Sequence, residues 1–182
     1  SNEPGGLAPV SPLPVRPVHP GGYRLQPDYF EPVRVPAEVL RYAGGDSPLP
    51  VGSPGKVGIL QLGFEHNRDR DRTELVQHYQ KSPLQIMRPL YFDPLRPDVP
   101  YTYVMSSGGG ILQADRLRTD LTFGTGTSAH VTTQAQTRVY RMDYDYASSV
   151  TNISVGAGAY TEYLPEPVVP FAGSRFYQHT SV

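Results

Sequence analysis

The chain has 182 residues, of which 38% are hydrophobic, 18 are glycine, 20 are proline and none is cysteine. That length is sufficient for one domain with its own core, and the lack of cysteine excludes disulfides, thiolate metal sites and a cysteine nucleophile. The formal net charge of −1 gives no reason to expect a nucleic-acid partner, and no apolar run approaches the roughly 20 residues of a membrane helix.

The N-terminal part is rich in proline, with twelve of the 20 prolines in residues 1–54. Proline removes backbone donors and restricts the residue before it, so we expect an extended leader over residues 1–55. It could be a spacer, an arm lying on the domain, or a polyproline ligand formed by PVRPVHP. A short helix is predicted over Pro36–Tyr42, because it begins with proline and stops before two glycines. No signal-peptide pattern is present, and we expect a cytoplasmic protein.

Residues 56–182 are expected to fold as one β domain. Short apolar runs with period-two alternation are separated by glycine turns, which is typical of strands. They are predicted at Val57–Phe64, Thr73–Gln80, Leu84–Tyr91, Tyr101–Met105, Leu117–Phe123, Ala129–Val139, Val150–Val155 and Tyr160–Leu164. The charged cluster at 65–72 is expected to be a solvated turn. An all-β sandwich, barrel or solenoid fits this pattern, although no repeat of fixed length supports a regular solenoid.

After Val139, the alternation of apolar and polar residues changes phase. Tyr140, Met142, Tyr144 and Tyr146 would share one face if the strand continued. Because a slip of one residue moves side chains to the opposite face of a sheet, we predict a bulge or sharp bend near Val139-Tyr140.

The sequence has no recognisable catalytic or nucleotide-binding motif. The glycines at 108–110 are followed by neither Lys-Ser/Thr nor a helix, so they are not a phosphate loop. The five histidines are not at metal-ligand spacing, and the GxSxG pattern is absent. This favours a binding or scaffolding role, while a ligand-binding module and a carbohydrate-active enzyme with two distant acids stay open.

Carboxylates are the candidate ligands for a hard cation. Asp115 follows the glycine turn, Glu162 lies among aromatic residues, and Asp143 and Asp145 alternate with tyrosines. Such oxygen ligands could bind a divalent cation weakly. The alternative for Asp143 and Asp145 is that they form the solvent side of a tyrosine-lined strand.

The run from Gly108 to Arg141 closely resembles the signature of the urease accessory protein UreD family, called UreH in some organisms. The resemblance includes Gly109-Gly110, Asp115-Arg116-Leu117 and Thr132-Thr133-Gln134-Ala135, and continues with Thr137, Val139 and Tyr140. Residues 162–166 and Phe171 downstream, and 58–62, 83–84 and 88–91 upstream, also resemble the family. Ala114, Gln136 and Arg138 depart from its pattern.

The resemblance implies a maturation factor and not an enzyme. UreD-like proteins bind the urease apoprotein, join UreF and, through it, the GTPase UreG, and help to deliver Ni²⁺ to urease. Their fold is described as β-helix-like, with an internal water-filled passage proposed for nickel. The resemblance therefore implies that no cofactor is permanently bound and that nickel passes through the protein in transit. Asp115, Glu162 and Gln134 are the candidate nickel-route residues, and Asp143 and Glu166 are weaker ones.

Family members also continue well past residue 182. The resemblance therefore implies that this chain is an N-terminal portion of such a protein.

Overall fold

The computed structural model describes residues 32, 34–43 and 57–182. Within them it has one short helix and eleven strands. They are α1 (Ala37–Leu40), β1 (Val57–Asn67), β2 (Arg72–Lys81), β3 (Leu84–Ile86), β4 (Tyr101–Ser106), β5 (Arg116–Phe123), β6 (Ser128–Thr133), β7 (Thr137–Val139), β8 (Ala147–Val155), β9 (Tyr160–Leu164), β10 (Val168–Pro170) and β11 (Phe176–Ser181). The predicted all-β class is confirmed.

The strands form three sheets. The large sheet has the order β11-β8-β5-β1-β2, the four-stranded sheet has the order β3-β4-β6-β9, and the small sheet pairs β10 with β7. In the large sheet β1, β5, β8 and β11 are all parallel, as are β4, β6 and β9 in the four-stranded sheet. The β1–β2 and β3–β4 pairs are antiparallel.

Several of the parallel pairs join strands that lie about 30 residues apart along the chain. Asn152 on β8 bonds Asp120 on β5, and Leu164 on β9 accepts a bond from Thr132 on β6, each across 32 residues. The segments β5–β6–β7 and β8–β9–β10 each pass through the large sheet, then the four-stranded sheet, then the small sheet. The turns from the large to the four-stranded sheet use Gly126 and Gly158, whose φ angles of 72° and 67° suit glycine.

The core lies between the large and four-stranded sheets. It is built by alternate residues of the inner faces, chiefly Leu60, Leu62 and Phe64 of β1 and Leu121 and Phe123 of β5. The rings of Phe64 and Phe123 stack with centroids 5.2 Å apart. Parallel strands require cover on both faces, which explains why β1 is buried without interruption over seven residues.

The predicted elements agree in kind with the structure, and several boundaries differ. The helix expected over Pro36–Tyr42 is present as α1. The strand expected at Leu84–Tyr91 ends at Ile86, and the two last strands, β10 and β11, were not predicted. The 65–72 cluster is only partly a turn, because β1 extends to Asn67. The leader, apart from residues 32 and 34–43, lies outside the described residues.

Of the bulge or sharp bend predicted near Val139-Tyr140, the bulge is not present in the β7–β10 pairing, which has no register shift. The run expected as one strand from Ala129 is divided into β6 and β7, and the chain leaves the strand after Val139. The Tyr140 amide instead bonds Ile111, and the Met142 amide bonds Gly173, so loop contacts satisfy the backbone there. No described helix is long or apolar enough to span a membrane.

Candidate functional site

A cavity of about 510 Å³ lies between the three sheets. Its walls come from the inner faces of the large and four-stranded sheets and from the segments around the small sheet. Residues from β4, β5, β8, β9 and β11 contribute, together with the 108–111 and 133–138 segments. The site thus depends on stacked layers, since each wall combines residues far apart in sequence.

One wall is a ladder of hydroxyl side chains. Thr119, Thr151 and Thr180 are register partners across β5, β8 and β11, and all three line the cavity. Beside them, Ser149 pairs with Gln178, again facing the cavity. Parallel in-register pairing places such residues at strand spacing, about 4.8 Å. The interior is therefore polar beside the apolar core.

The facing wall contributes a tyrosine. Tyr163 on β9 hydrogen-bonds Thr151 across the interior, and burial raises the pKa of its hydroxyl above the ordinary value. The phenol is consequently protonated at neutral pH and available as a neutral donor or acceptor. With the threonine ladder, it gives the cavity oxygen atoms without fixed charge.

The rim of the cavity carries amide and acidic groups. Gln134 is exposed, lines the cavity, and is fixed through its backbone amide, which donates to Val104 at 2.9 Å. Glu166 also lines it, and its amide donates to the hydroxyl of Thr133 at 2.9 Å. Gln134, a predicted route residue, and Glu166, a weaker one, therefore lie at the same opening.

Asp115, the first predicted route residue, stabilises the turn that precedes β5. Only 1% of it is exposed, and its Oδ2 accepts the amide of Leu112 at 2.9 Å. The preceding Ala114 has a φ of 64°, a conformation that few non-glycine residues adopt. The carboxylate holds this turn at the start of β5, and Asp115 is not among the residues lining the cavity.

Glu162, the other predicted residue, points away from the cavity. Its carboxylate accepts one hydrogen bond from His130 Nδ1 at 2.8 Å and another from the Tyr160 hydroxyl at 2.8 Å. The contact with His130, followed by that with Tyr160, lowers the pKa of the carboxyl below its usual value. The His130 ring in turn packs on Tyr101, with centroids 4.8 Å apart. Glu162 thus belongs to a side-chain cluster on the outer face of the four-stranded sheet.

The structure does not gather the three predicted residues into one site. Asp115 supports a turn, Glu162 lies on an outer face, and Gln134 lies at the cavity rim. Asp143 is exposed beside Arg141. Within the described ranges, no three His, Asp or Glu side chains are grouped to hold a metal ion. The residues that sequence reasoning missed are the inward threonines, whose period-two placement on β5, β8 and β11 was the available signal.

Residues 56–182 match the family model described as UreD urease accessory protein. A urease accessory protein UreD 2 of Streptomyces griseus is 55% identical over 134 residues, which are 74% of this chain and 45% of that protein. A UreD 3 of Methylorubrum populi is 45% identical over 132 residues, 72% of this chain and 42% of that protein. A UreD 2 of Brucella ovis is 41% identical over 145 residues, which are 80% of this chain and 47% of that protein. The chain spans less than half the length of these relatives.

Proposed function

Because this chain belongs to the UreD family of urease accessory proteins, we propose that it serves urease maturation and carries out no catalysis of its own. In this proposal it binds the urease apoprotein, joins UreF and, through UreF, UreG, and gives Ni²⁺ a path toward the urease active site. The relatives' names are those of accessory proteins, in agreement with the expectation that the chain is not an enzyme.

The observation that carries the nickel part of the proposal is the polar cavity. An ion in transit must be held weakly, and neutral hydroxyl and amide oxygens together with water bind a divalent cation more weakly than a cluster of imidazoles. The hydroxyl ladder of Thr119, Thr151 and Thr180 and the side chain of Gln134 supply such oxygens. A hydrated cation would be passed between layers of the stack, each layer adding one hydroxyl.

We further propose that the three sheets form a β-helix-like stack. The support is the parallel pairing of β5 with β8 and β8 with β11, of β6 with β9, and of β7 with β10. In these pairs the later strand follows its partner by about 30 residues along the chain, as the Thr132–Leu164 bond illustrates. Such a stack would keep the cavity continuous from layer to layer.

The candidate route residues divide by position. Gln134 and Glu166 are at the cavity rim, where an entering or leaving ion would first meet protein oxygens. Asp115 and Glu162 stay candidates that lie away from the cavity. The Asp115 carboxylate supports the turn before β5, and Glu162 lies on an outer surface. A loss of nickel transfer on changing either of these would therefore need to be separated from a loss of folding or of partner binding.

The test uses the full-length protein, co-purified with urease apoprotein and UreF, followed by nickel-dependent activation of urease. Thr151→Val removes one ladder hydroxyl without changing side-chain shape, and Gln134→Leu removes the rim amide. Ser154→Ala, at an exposed position on the opposite face of β8, is the matched control. We expect the first two variants to retain both partners but activate urease more slowly, and the control to match the wild type.

Two outcomes would contradict the proposal separately. If the full-length protein retains neither urease nor UreF, the maturation role is wrong. If the partners are retained and Thr151→Val and Gln134→Leu activate urease at the wild-type rate, the cavity is not the nickel route, while the maturation role stands.

A further inference from the structure

A second cavity, of about 420 Å³, shares none of its lining residues with the cavity between the sheets. Its walls come from the 141–143 segment after β7, the 172–175 segment between β10 and β11, and Tyr42 after α1. The two loop segments are joined directly, because the Met142 amide donates to the Gly173 carbonyl at 3.1 Å. Three separate parts of the chain therefore meet at this cavity.

Two arginines line this cavity, Arg141 and Arg175. The stem of Arg141 lies against Gly173, where an added Cβ atom would be only 3.2 Å from Arg141 Cγ. Gly173 also has a φ of 78°, a conformation that suits glycine. Arg175 is half-buried, and its backbone carbonyl accepts the Ala147 amide at 2.9 Å. Both arginines therefore extend from backbone that hydrogen bonds hold in place.

Most of the guanidinium donors at this cavity are unused. The Arg175 guanidinium lies 4.4 Å from the centroid of the Tyr42 ring, and among the residues that the structure describes it has no hydrogen-bond acceptor. Arg141 donates through its Nε to Asp143 Oδ1 at 3.0 Å, and its terminal nitrogens have no acceptor in the same part of the chain. A half-buried guanidinium without an acceptor leaves strong donors unsatisfied. The cavity therefore offers donors to an anion.

The charge around this cavity is also positive on balance. Asp143 is the acidic side chain of the lining, against Arg141 and Arg175. Arg41 adds a further positive charge nearby, since it donates to the Tyr42 hydroxyl at 2.9 Å. The pair between Asp143 and Arg141 is well exposed, and exposed pairs contribute little. An incoming anion can therefore compete with Asp143 for Arg141 and bind Arg175 without displacing any described acceptor.

We propose that this cavity binds a phosphate group, either as the free ion or carried by a small organic molecule. Guanidinium groups bind phosphate oxygens in a bidentate manner, and the several oxygens of one phosphate can engage Arg141 and Arg175 together. Ser174 and Tyr42 add hydroxyl groups to the lining. The volume of about 420 Å³ is larger than a phosphate ion needs, so it leaves room for an attached organic group. This inference does not depend on the proposed function.

The first test is calorimetric titration of the full-length protein with inorganic phosphate, phosphoserine and acetate. We expect saturable binding of phosphate or phosphoserine, with acetate much weaker, and the tighter of the first two tells whether the free ion or an organic phosphate is preferred. Arg175→Gln should weaken binding at least about 10-fold. Arg96→Gln, which removes an exposed charge outside the lining, should change it less than about twofold. Acetate binding as tight as phosphate, or an unchanged Arg175→Gln, would overturn the proposal.

A second variant should gain affinity, which a folding defect cannot imitate. Asp143→Asn removes the carboxylate that competes for Arg141, so the same titration should show phosphate bound about two- to fivefold more tightly. Asp98→Asn is the matched control, because it breaks a similar exposed pair with Arg96 outside the lining, and its phosphate affinity should equal that of the wild type. Equal affinities for Asp143→Asn and Asp98→Asn would reject the site.

Discussion

The first and last layers of the stacked strands differ in what fills them. β1 and β5 contribute long runs of fully buried residues, including the stacked rings of Phe64 and Phe123. β9, β10 and β11 contain only half-buried and exposed residues. The early strands bury leucine and phenylalanine, whereas the late ones leave Tyr160, Leu164 and Gln178 exposed.

Within residues 57–182, this difference separates the strands that build the core from those that are joined to it mainly by strand pairing. Apolar burial is the main favourable contribution to folding, so the β1–β5 layers carry most of the stability. The late layers are joined to them by in-register backbone pairing and by individual side-chain hydrogen bonds, each of which contributes far less. Substitutions at the cavity rim and in the polar ladder should therefore alter binding before they unfold the domain.

The largest expected effect is on the apolar side of this comparison. Phe123→Ala removes a ring that is 1% exposed and stacked on Phe64, and we expect a loss of about 3–5 kcal/mol in the free energy of unfolding. Phe171→Ala, which removes a ring 44% exposed and packed edge-on against Tyr140, should cost only about 1 kcal/mol. Urea unfolding measures both, and equal losses would contradict the division between layers.

The next effect concerns the charge network that joins β1, β5 and β8. Asp120→Asn removes the carboxylate that pairs with the guanidinium of Arg118 and brings an amide donor toward Gln61 or Asn152. We expect a loss of about 2–3 kcal/mol. Asp143→Asn breaks an exposed pair with Arg141 and should change stability by less than about 1 kcal/mol. If both substitutions lowered the free energy of unfolding in urea by the same amount, the Asp120 network would contribute no more than a surface contact.

A smaller effect is expected where an early layer meets a late one. The Thr132 hydroxyl donates to the Leu164 carbonyl at 2.6 Å, so Thr132→Val should cost about 1 kcal/mol. Thr102 is completely buried, and its hydroxyl has no partner among the described protein atoms. Thr102→Val should therefore leave the free energy of unfolding unchanged or raise it. Thermal unfolding of both variants gives the comparison, and a larger loss for Thr102→Val would indicate that its hydroxyl binds water.

Sequence reasoning predicted the strands better than the way in which they stack. Period-two alternation located β1, β2, β4, β5, β8 and β9 because one face of each is apolar. The short strands of the small sheet have no such face: β7 and β10 are three residues each, too short for alternation to distinguish them from loop. β11 was missed because its core-facing positions, Gln178 and Thr180, are polar.

The stacking itself left no visible repeat in the sequence. Partners such as Leu117 and Ser149, or Ala129 and Thr161, occupy equivalent positions in successive layers but differ in size and polarity. Backbone pairing is what repeats, and it constrains side chains only weakly. For the same reason the candidate site could not be assembled from sequence: the carboxylates attract attention as ligands, whereas the ladder of Thr119, Thr151 and Thr180 is formed by pairing between strands.

The smallest effect, and the one that depends on pH, lies on the outer face of the last layer. The carboxyl of Glu162 has a folded-state pKa below its ordinary value because of its contacts with His130 and then Tyr160. A lowered pKa means that the stabilisation is complete above the unfolded-state pKa and is lost as the pH falls through the folded-state pKa. Glu162→Gln should thus be slightly less stable than the wild type near neutral pH, and the difference should close in acid. Urea unfolding between about pH 6 and about pH 3 spans the ordinary carboxyl pKa, with Glu166→Gln as a control for the loss of one exposed negative charge. A difference that persists unchanged into acid would mean that Glu162 acts in the last layer through packing and not through its charge.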